Sequence, residues 1–402
     1  MTSAEDSYTG PPAILEHDLN QFFPELLKFG STEEMEASEL WSRVGSEAER
    51  ILNAVVVEHQ SEPPIQESGM EISALAWNLE RGIRFDGIVD ALQNDEYLRD
   101  RDVLLLTELD HGMARSGNRF VAKQLADDLG FNYAFAPVYI PLQKGSGVES
   151  DMEGENTASI HGVAMLSRYP MKNVHAVPLP NGKDKMWGKE KRIGWLRALF
   201  ADIDHPRGEF RAVTVHLDAH CSRAHRLLQM RIILDHLETL PPLPTIIGGD
   251  WNTTGFNSQS STRAIMGYWR RVMMGPKNVA LNHLPHPERF FERRLFAELE
   301  GRGYTFRDFN NVGVGTLHYD VASIEKNTNL RDWVPEWCFP FIFWAAGRVG
   351  GKVSVRLDWF AGREIDTSVG DAAWTIAGLT DDEGFPLSDH DPIALDFVIG
   401  KR

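Results

Sequence analysis

Short apolar runs recur along the chain from Glu71 onward, and helix-spaced segments alternate with them. Runs of this kind are typical of buried β-strands. Because the strand-like runs outnumber the helical segments and some follow one another directly, the pattern favours sheet packed on sheet with helices outside. We predict strands at Ile72–Trp77, Val103–Thr107, Tyr133–Pro137, Gly162–Leu166, Leu196–Ile203, Arg211–His216, Thr245–Gly248, Val353–Phe360 and Ile393–Ile399. We predict helices at Phe85–Gln93, Arg119–Leu129, Arg223–Leu240 and Glu288–Leu299, with Ser222 as the N-cap of the third.

The first part of the chain, residues 1–69, is interpreted as an N-terminal helical extension. Helix-spaced apolar residues occur in Leu19–Phe29 and Ser38–Glu58, and the Glu62-Pro63-Pro64 stretch then breaks the pattern. Residues 70–402 are predicted to form the main domain. Within it, Lys144–Ser159 is predicted to be a flexible loop. The segment 257–351 is a long insertion that must contain structure of its own.

The formal net charge of the 402-residue chain is -17, from 58 acidic and 41 basic residues. This balance argues against a protein that holds long nucleic-acid duplexes by charge alone. A basic cluster between Lys183 and Arg192 is either one wall of a cleft or a solvated loop. Two cysteines, no secretory signal and no apolar run long enough to span a membrane predict a soluble cytoplasmic protein.

Polar side chains follow one predicted strand after another. Burying such groups beside an apolar strand costs free energy unless they are paired or bound to a metal ion. A single strand-end Asp or Asn is usually a turn or cap residue, but a succession of them indicates a shared site. The residues in these positions are Asn78, Glu108, His216, Asp250, Asn252, Asp358, Asp389 and His390.

The motifs around these residues resemble those of the endonuclease/exonuclease/phosphatase superfamily, over about residues 71–399. The superfamily includes deoxyribonucleases, apurinic-site endonucleases, inositol-polyphosphate phosphatases, neutral sphingomyelinases and deadenylases. The matching motifs are Trp77-Asn78, Leu106-Thr107-Glu108, Gly162-Val163-Ala164-Met165-Leu166-Ser167-Arg168, Val215-His216-Leu217, Gly249-Asp250-Trp251-Asn252, Leu357-Asp358-Trp359-Phe360 and Ser388-Asp389-His390. The resemblance implies a four-layered α/β/β/α sandwich, two packed mixed sheets flanked by helices, with the cleft at one end.

The resemblance, together with the chemistry of the side chains, gives each residue an expected role. Asn78, Glu108 and Asp389 are expected to bind one or two divalent ions, Mg²⁺ or Mn²⁺, with Ca²⁺ as a further candidate. Asp250 is expected to orient the attacking water, and Asn252 to donate to a phosphoryl oxygen. Asp358 is expected to hold the imidazole of His390, and His216 to protonate the leaving oxygen or bind the phosphate.

The sequence gives weaker support for placing other polar residues in the site. Glu80 and Arg81 lie near Asn78 and could contact substrate, although a solvent-exposed salt bridge is favoured. Asp110 and Asp218 are predicted to lie behind the site or on the surface. A zinc site made of His216, His220 and His225 is a competing hypothesis, although the sequence lacks the His-Glu-x-x-His spacing.

These observations predict a divalent-metal-dependent phosphoester hydrolase that acts on a small or lipid-like phosphodiester or phosphomonoester. A DNA or RNA nuclease and a catalytically silent binding protein are the alternatives. Aromatic residues of the insertion could stack bases, contact a lipid or anchor the insertion on the domain. These are Trp269, Trp333, Trp337, Phe339, Phe341, Phe343 and Trp344. Nucleic acid remains a possible partner, peripheral lipid contact is another, and the oligomeric state stays open.

Overall fold

The structure is a computed structural model. It describes residues 13–59, 71–255, 257, 259, 261–320, 340, 344, 347–367 and 373–400. Of the predicted aromatic group, Trp333, Trp337, Phe339, Phe341 and Phe343 lie outside the described residues. Within the described ranges, no helix has the length and apolar character needed to cross a membrane.

The described residues contain sixteen strands in three sheets. In chain order the strands are β1 (Val56–Glu58), β2 (Ile72–Arg81), β3 (Val103–His111), β4 (Asn132–Pro141), β5 (Ile160–Ser167), β6 (Met171–Leu179), β7 (Arg192–Gly194), β8 (Leu196–Ile203), β9 (Phe210–His216), β10 (Thr245–Asp250), β11 (Leu317–Asp320), β12 (Lys352–Val355), β13 (Asp358–Arg363), β14 (Ile365–Asp366), β15 (Ala373–Thr375) and β16 (Ile393–Ile399).

Nine α-helices occur in the same described ranges. They are α1 (Phe23–Leu26), α2 (Thr32–Glu36), α3 (Glu39–Asn53), α4 (Phe85–Asn94), α5 (Val121–Leu129), α6 (Arg223–Thr239), α7 (Ser261–Met273), α8 (Pro276–Asn278) and α9 (Arg293–Gly301). Ser222 caps α6 as predicted, because its side chain accepts a hydrogen bond from the backbone N–H of His225.

Two mixed sheets pack face to face and form the body of the fold. The nine-stranded sheet has the order β1-β4-β5-β3-β2-β16-β14, with β15 beside β16 and β7 beside β4. The five-stranded sheet has the order β13-β10-β9-β8-β6, and β11 and β12 form a separate hairpin-like pair. Helices α3, α4 and α5 cover the first sheet, while α6 and α9 pack on the second. The predicted four-layered sandwich is confirmed.

Apolar side chains fill the interface between the two sheets. Alternate residues of the strands, such as Ala74 and Leu105 of the first sheet and Val213 and Ile247 of the second, are completely buried there. Because successive side chains of a strand point to opposite faces, the other set packs under the helices, as Leu104 and Leu106 do. Both faces of the central strands are therefore apolar, which explains why their sequences are continuous apolar runs.

The N-terminal extension contributes a strand to the first sheet. We predicted helical periodicity up to Glu58, but α3 ends at Asn53 and Val56–Glu58 pairs antiparallel with β4. The β-branched Val55-Val56-Val57 run favours a strand, which was not recognised. The guanidinium of Arg197, on β8, is buried and donates to the carbonyl oxygens of Leu52 and Ala54 at 2.8 Å each. The extension is thus attached to both sheets.

One predicted strand is two strands in different sheets. The prediction joined Val353–Phe360, but β12 ends at Val355 and β13 begins at Asp358. Between them the buried guanidinium of Arg356 donates to the carbonyl oxygens of Asn311 and Val314, at 2.8 and 2.9 Å. These hydrogen bonds fix Arg356 at the point where the chain passes from the β11–β12 pair to the five-stranded sheet. Asp358 is therefore the first residue of its strand and not an interior one.

The insertion contains structure, as expected, namely α7, α8, α9 and β11. The predicted helix at Glu288–Leu299 begins later, at Arg293. The Lys144–Ser159 loop is held in place by its Glu149, whose carboxylate pairs with Arg81 at 2.9 Å and with Arg115 at 3.0 Å.

Candidate active site

The predicted site residues lie together at one end of the sandwich, although they come from both sheets. Parallel pairing of β2 with β3, and of β9 with β10, brings the carboxyl ends of these strands to the same edge. Register then places Asp250 opposite His216 on one side and Asp358 on the other. Crevices at the carboxyl ends of strands are common ligand sites in α/β folds.

Asp250 is at the centre of the arrangement and is only 1% exposed. Its Oδ2 accepts hydrogen bonds from the side-chain amides of Asn78 at 3.2 Å and Asn252 at 3.0 Å. The Nε2 atoms of His216 and His390 lie 3.5 and 3.9 Å from the same oxygen. Four predicted residues, from β2, β9, the end of β10 and the approach to β16, therefore converge on the carboxylate of Asp250.

His390 is held by Asp358. Its Nδ1 is hydrogen-bonded to Oδ2 of Asp358 at 2.8 Å, and the same oxygen accepts the hydroxyl of Thr316 at 2.6 Å. Among the described residues, Oδ1 of Asp358 is buried without a hydrogen-bond partner. The pair leaves Nε2 of His390 directed toward Asp250.

A second group of carboxylates lies beside Asp250. Glu108 is 3.9 Å from Nε2 of His216, and Glu80 accepts the backbone N–H of Asp389 at 3.0 Å. Burial and the neighbouring charge of Asp389 raise the pKa of Glu80 to about 8. Burial also raises the pKa of Asp389, with Glu108 adding to the shift against the opposing effect of His390. Glu80, Glu108 and Asp389 therefore repel one another, and a cation would relieve that repulsion.

Burial and neighbouring charges also shift the pKa values of Asp250, His390 and Glu108. Burial raises the pKa of Asp250 to about 6, against the lowering effect of His390. Burial disfavours a charged His390, but Asp358, Asp389 and Asp250 outweigh it and raise the pKa of His390 well above its usual value. Burial likewise disfavours a charged Glu108, yet Arg81 and His216 bring the pKa of Glu108 well below its usual range.

The backbone at these positions adopts conformations that side chains rarely occupy. Glu108 has φ 56°, Asn252 has φ 50°, and Glu80 has φ 45°. Left-handed backbone at non-glycine residues costs roughly 1–3 kcal/mol and is concentrated at functional sites. Gly249, just before Asp250, has φ 133°, and a Cβ there would lie 2.2 Å from the carbonyl oxygen of Val215. Glycine is therefore required for β10 to lie this close to β9.

One expectation about β2 is wrong, and another stays a prediction. The amide oxygen of Asn78 accepts the backbone N–H of Glu80 at 3.0 Å, and its role as a metal ligand stays a prediction. Glu80 and Arg81 were expected to form an exposed salt bridge. Instead Glu80 is half-buried in the acidic group, and Arg81 pairs with Glu149 of the loop. A β-bulge between β2 and β3 near Asn78 turns these side chains inward, and the sequence gives no sign of it.

Asp110 and Asp218 are buried anchors for neighbouring segments. Asp110 accepts two hydrogen bonds from the guanidinium of Arg115, at 2.8 and 3.0 Å, and one of its oxygens is 2.8 Å from Nδ1 of His161. Asp218 accepts the backbone N–H of Gly182 at 2.7 Å and pairs with Lys185 at 3.2 Å. Both residues therefore organise the rim of the site without being on its floor.

The basic cluster between Lys183 and Arg192 is largely engaged within the protein. Lys191 donates to the carbonyl oxygens of Leu27 and Phe29, at 2.7 and 2.6 Å. Lys185 pairs with Asp218, and Arg192 pairs with Glu190. These cations attach the N-terminal extension and the rim, so they leave little free charge for a long polyanion.

The zinc hypothesis is not supported. Nε2 of His225 lies 2.8 Å from the carbonyl oxygen of Pro180, whereas His216 faces Glu108 and Asp250. Across the described ranges, one group of three metal-type side chains has its ligand atoms within 4.8 Å of one another, and it consists of Asp250, Asp358 and His390. This buried group could hold a metal ion.

Thr316 and Glu80 are site residues that sequence reasoning missed or misplaced. Thr316 comes from the insertion, just before β11, and its hydroxyl reaches Asp358 across 42 positions of the chain. No local pattern marks it, because threonine before a strand is common. For Glu80 a signal was present, since it follows Asn78 at the end of a strand, but exposure was assumed.

The sequence matches the Endonuclease/Exonuclease/phosphatase family over residues 75–390. The chain belongs to this family. Its members are hydrolases that act on phosphoester bonds and depend on divalent metal ions. Together with the two packed sheets and their flanking helices, the match identifies the protein as an endonuclease/exonuclease/phosphatase-family hydrolase.

Solved structures of the family resemble this chain at low sequence identity. An endonuclease/exonuclease/phosphatase from Beutenbergia cavernae is 17% identical, with 83% of this chain and 72% of that chain covered and a TM-score of 0.48. A Bacteroides vulgatus family member is 12% identical, with 82% and 100% covered and a TM-score of 0.46. The 3'-5' exonuclease from Neisseria meningitidis is 14% identical, with 81% and 100% covered and a TM-score of 0.46. A search of curated proteins returns no match.

Proposed function

We propose that this family member is a Mg²⁺- or Mn²⁺-dependent phosphoesterase that hydrolyses a small or lipid-like phosphodiester or phosphomonoester. The observation that carries the proposal is the position of Asp250, which lies within 4 Å of His216, His390 and the amides of Asn78 and Asn252. Such a carboxylate, flanked by donors for a phosphoryl group, is suited to orienting a water for in-line attack.

The metal would be held by Glu108 and Asp389, with the amide oxygen of Asn78 and the carboxylate of Glu80 as further ligands. Their chemistry suits the ion, because Mg²⁺ prefers oxygen ligands and needs only a few from the protein. Burial and the charge of Asp389 raise the pKa of Glu80 to about 8, and a divalent cation would offset both effects. A bound ion supplies charge stabilisation at the phosphoryl oxygens and lowers the pKa of bound water. Ca²⁺ is a further candidate for the same oxygen set.

Each of the remaining residues has its own role at the phosphate. Asp250 orients the water and accepts its proton, and the charged His390 stabilises the phosphoryl oxygens. Asp358 fixes the orientation of His390 and stabilises its charged form through the 2.8 Å contact with Nδ1. The side-chain amide of Asn252 donates to the developing negative charge, and His216 protonates the leaving oxygen.

Charge is the reason for favouring a small or lipid-like substrate over a duplex. The chain has a formal net charge of -17, and its basic cluster near the site is engaged by Asp218, Glu190 and backbone carbonyls. Duplex binders neutralise several phosphates with free Lys and Arg side chains. A nuclease remains the second candidate, because a single strand needs fewer such contacts.

The proposal is tested by hydrolysis of bis-p-nitrophenyl phosphate and of a panel of phospholipids, inositol phosphates and nucleotides, with plasmid nicking in parallel. Turnover should require Mg²⁺ or Mn²⁺, stop on chelation and disappear in Asp250→Asn. The matched control is Asp235→Asn, an Asp that is 63% exposed on α6. A protein inactive on every phosphoester with either metal would instead be a catalytically silent binding protein.

A further inference from the structure

The insertion between the site and β11 carries a positive, acid-free segment in an otherwise acidic protein. No Asp or Glu occurs between Asp250 and Glu288, although the whole chain contains 58 of them. The same segment contains Arg263, Arg270, Arg271 and Lys277. A local charge so different from that of the rest of the chain indicates a surface that meets an anionic partner.

Helix α7 presents an apolar face to solvent within this segment. Met266, Trp269 and Met273 are 60%, 46% and 81% exposed. Their spacing of three and four residues places them on one side of the helix, which we name the α7 outer face. Large exposed side chains grouped on one helix face are unusual for a surface that meets only water. Arg263 and Arg270 are exposed on the same helix and flank this face.

The opposite face of α7 fastens the helix to the domain. Arg271 is 9% exposed, and its guanidinium lies over the ring of Phe291 at 4.4 Å. The carbonyl oxygen of Phe291 also accepts from Arg223 at the start of α6. Helix α7 is therefore attached to the domain through the face that carries Arg271, and the α7 outer face is exposed.

The segment also lies near the candidate active site. It begins directly after Asp250, and Gln259 donates to the carbonyl oxygen of Gly182 at 3.4 Å. The backbone N–H of Gly182 in turn donates to Asp218, two residues after His216. The chain just before α7 therefore contacts the rim of the site on the His216 side.

We infer that α7 is an interfacial helix that docks the protein on an anionic lipid surface. Methionine and tryptophan side chains enter the headgroup and acyl boundary, while arginines beside them meet the lipid phosphates and carboxylates. Nucleic acid would use the same arginines but gains nothing from exposed Met266 and Met273, so the apolar character of the face favours lipid. The inference does not depend on the proposed catalytic function, because docking can be measured without turnover.

The test is co-sedimentation of the full-length protein with vesicles of phosphatidylcholine alone or mixed with phosphatidylserine. We expect binding to the mixed vesicles, a loss of about fivefold in affinity for each of Arg263→Gln and Arg270→Gln, and a fall as salt is raised. Trp269→Ser should lower the affinity about tenfold or more, since its indole would be buried at the interface. Leu228→Ser is the matched control, because Leu228 is also 46% exposed on a helix, α6.

Vesicle binding that is absent in the wild type, or that is as strong in Trp269→Ser as in the wild type, would overturn the inference. The same would follow if the arginine variants lost binding to a labelled single-stranded oligonucleotide while no variant changed vesicle binding. Because the face is already exposed, these variants should keep the wild-type melting temperature. Wild-type turnover of a soluble phosphoester in Trp269→Ser then separates a docking defect from a catalytic one.

Discussion

Nδ1 of His390 lies 2.8 Å from Oδ2 of Asp358, although Asp358 begins a strand of the five-stranded sheet and His390 precedes a strand of the nine-stranded sheet. The contact therefore exists only when the two sheets are packed together. It links the stability of the sandwich to the geometry of the imidazole.

Replacing Asp358 with Asn should lower kcat by about 10²- to 10⁴-fold, because an amide can hold the wrong imidazole tautomer and cannot stabilise the charged ring. The measurement is kcat and KM for bis-p-nitrophenyl phosphate, with circular dichroism to confirm folding. Asp100→Asn, at a carboxylate that is 71% exposed, is the control. Wild-type kcat in Asp358→Asn would show that His390 does not need this partner.

Magnesium should raise the melting temperature of the wild type. Binding to the folded state alone adds about 2.7 kcal/mol when the ion is at a hundred times its Kd. Glu108→Gln should abolish the increase, and the same ionic strength of NaCl is the control. Without metal, Glu80→Gln should be more stable than the wild type, because it removes a carboxyl group whose charged form is disfavoured by burial and by Asp389. A Mg²⁺-dependent increase that survives in Glu108→Gln would place the ion elsewhere, such as at Asp250, Asp358 and His390.

Arg115→Met should destabilise the protein by about 3–5 kcal/mol, since Asp110 would remain buried without its guanidinium partner and Glu190 would keep only Arg192. Urea unfolding gives the free energy of unfolding. Arg231→Met is the contrast, because that arginine is 45% exposed beside Glu298 and should matter by about 1 kcal/mol or less. Similar losses in the two variants would mean that the buried network contributes no more than a surface pair.

Stability should fall as the pH drops from about 6.5 to about 4, partly because of His111. Burial lowers the pKa of His111 from 6.5 to about 4 in the folded protein. The unfolded chain therefore binds a proton first, so the contribution is complete above pH 6.5 and is lost as the pH falls toward 4.

The loss from His111 is roughly 2 kcal/mol after allowing for its partial exposure. In His111→Phe, the free energy of unfolding should vary less over this pH range. The aromatic replacement preserves the contact with Phe120, whose ring centroid is 4.2 Å away. An unchanged pH dependence in the variant would assign the effect to other groups.

The central strands and the strand-end residues were predictable because both follow from local sequence. β8 and β16 begin and end at the predicted residues, Leu196–Ile203 and Ile393–Ile399. Asp250 and His216 were recognised because each is a polar residue that ends a run buried on both faces. Once two parallel strands are neighbours, their ends meet, and this is enough to bring such residues together.

The remaining features depend on contacts between distant parts of the chain. Thr316 reaches Asp358 only because β11 passes beside the approach to β16, through the bridge between Leu317 and His390. The split of Val353–Phe360 depends on the buried Arg356, which looks like an ordinary strand arginine in the sequence. The side chain of Glu80 points inward because the register between β2 and β3 shifts next to it. That shift depends on β3, which is distant from Glu80 in the sequence.

The attachment of the N-terminal extension has a practical consequence for anyone who trims this protein to its catalytic part. A fragment starting at Glu71 would lack β1. The edge of β4 that pairs with β1 would then be exposed and could pair with a strand of another chain. The fragment would also leave the guanidinium of Arg197 without two of its hydrogen-bond acceptors, the carbonyl oxygens of Leu52 and Ala54. Such a fragment should be recovered as aggregate, which would make the leading segment necessary for a soluble product.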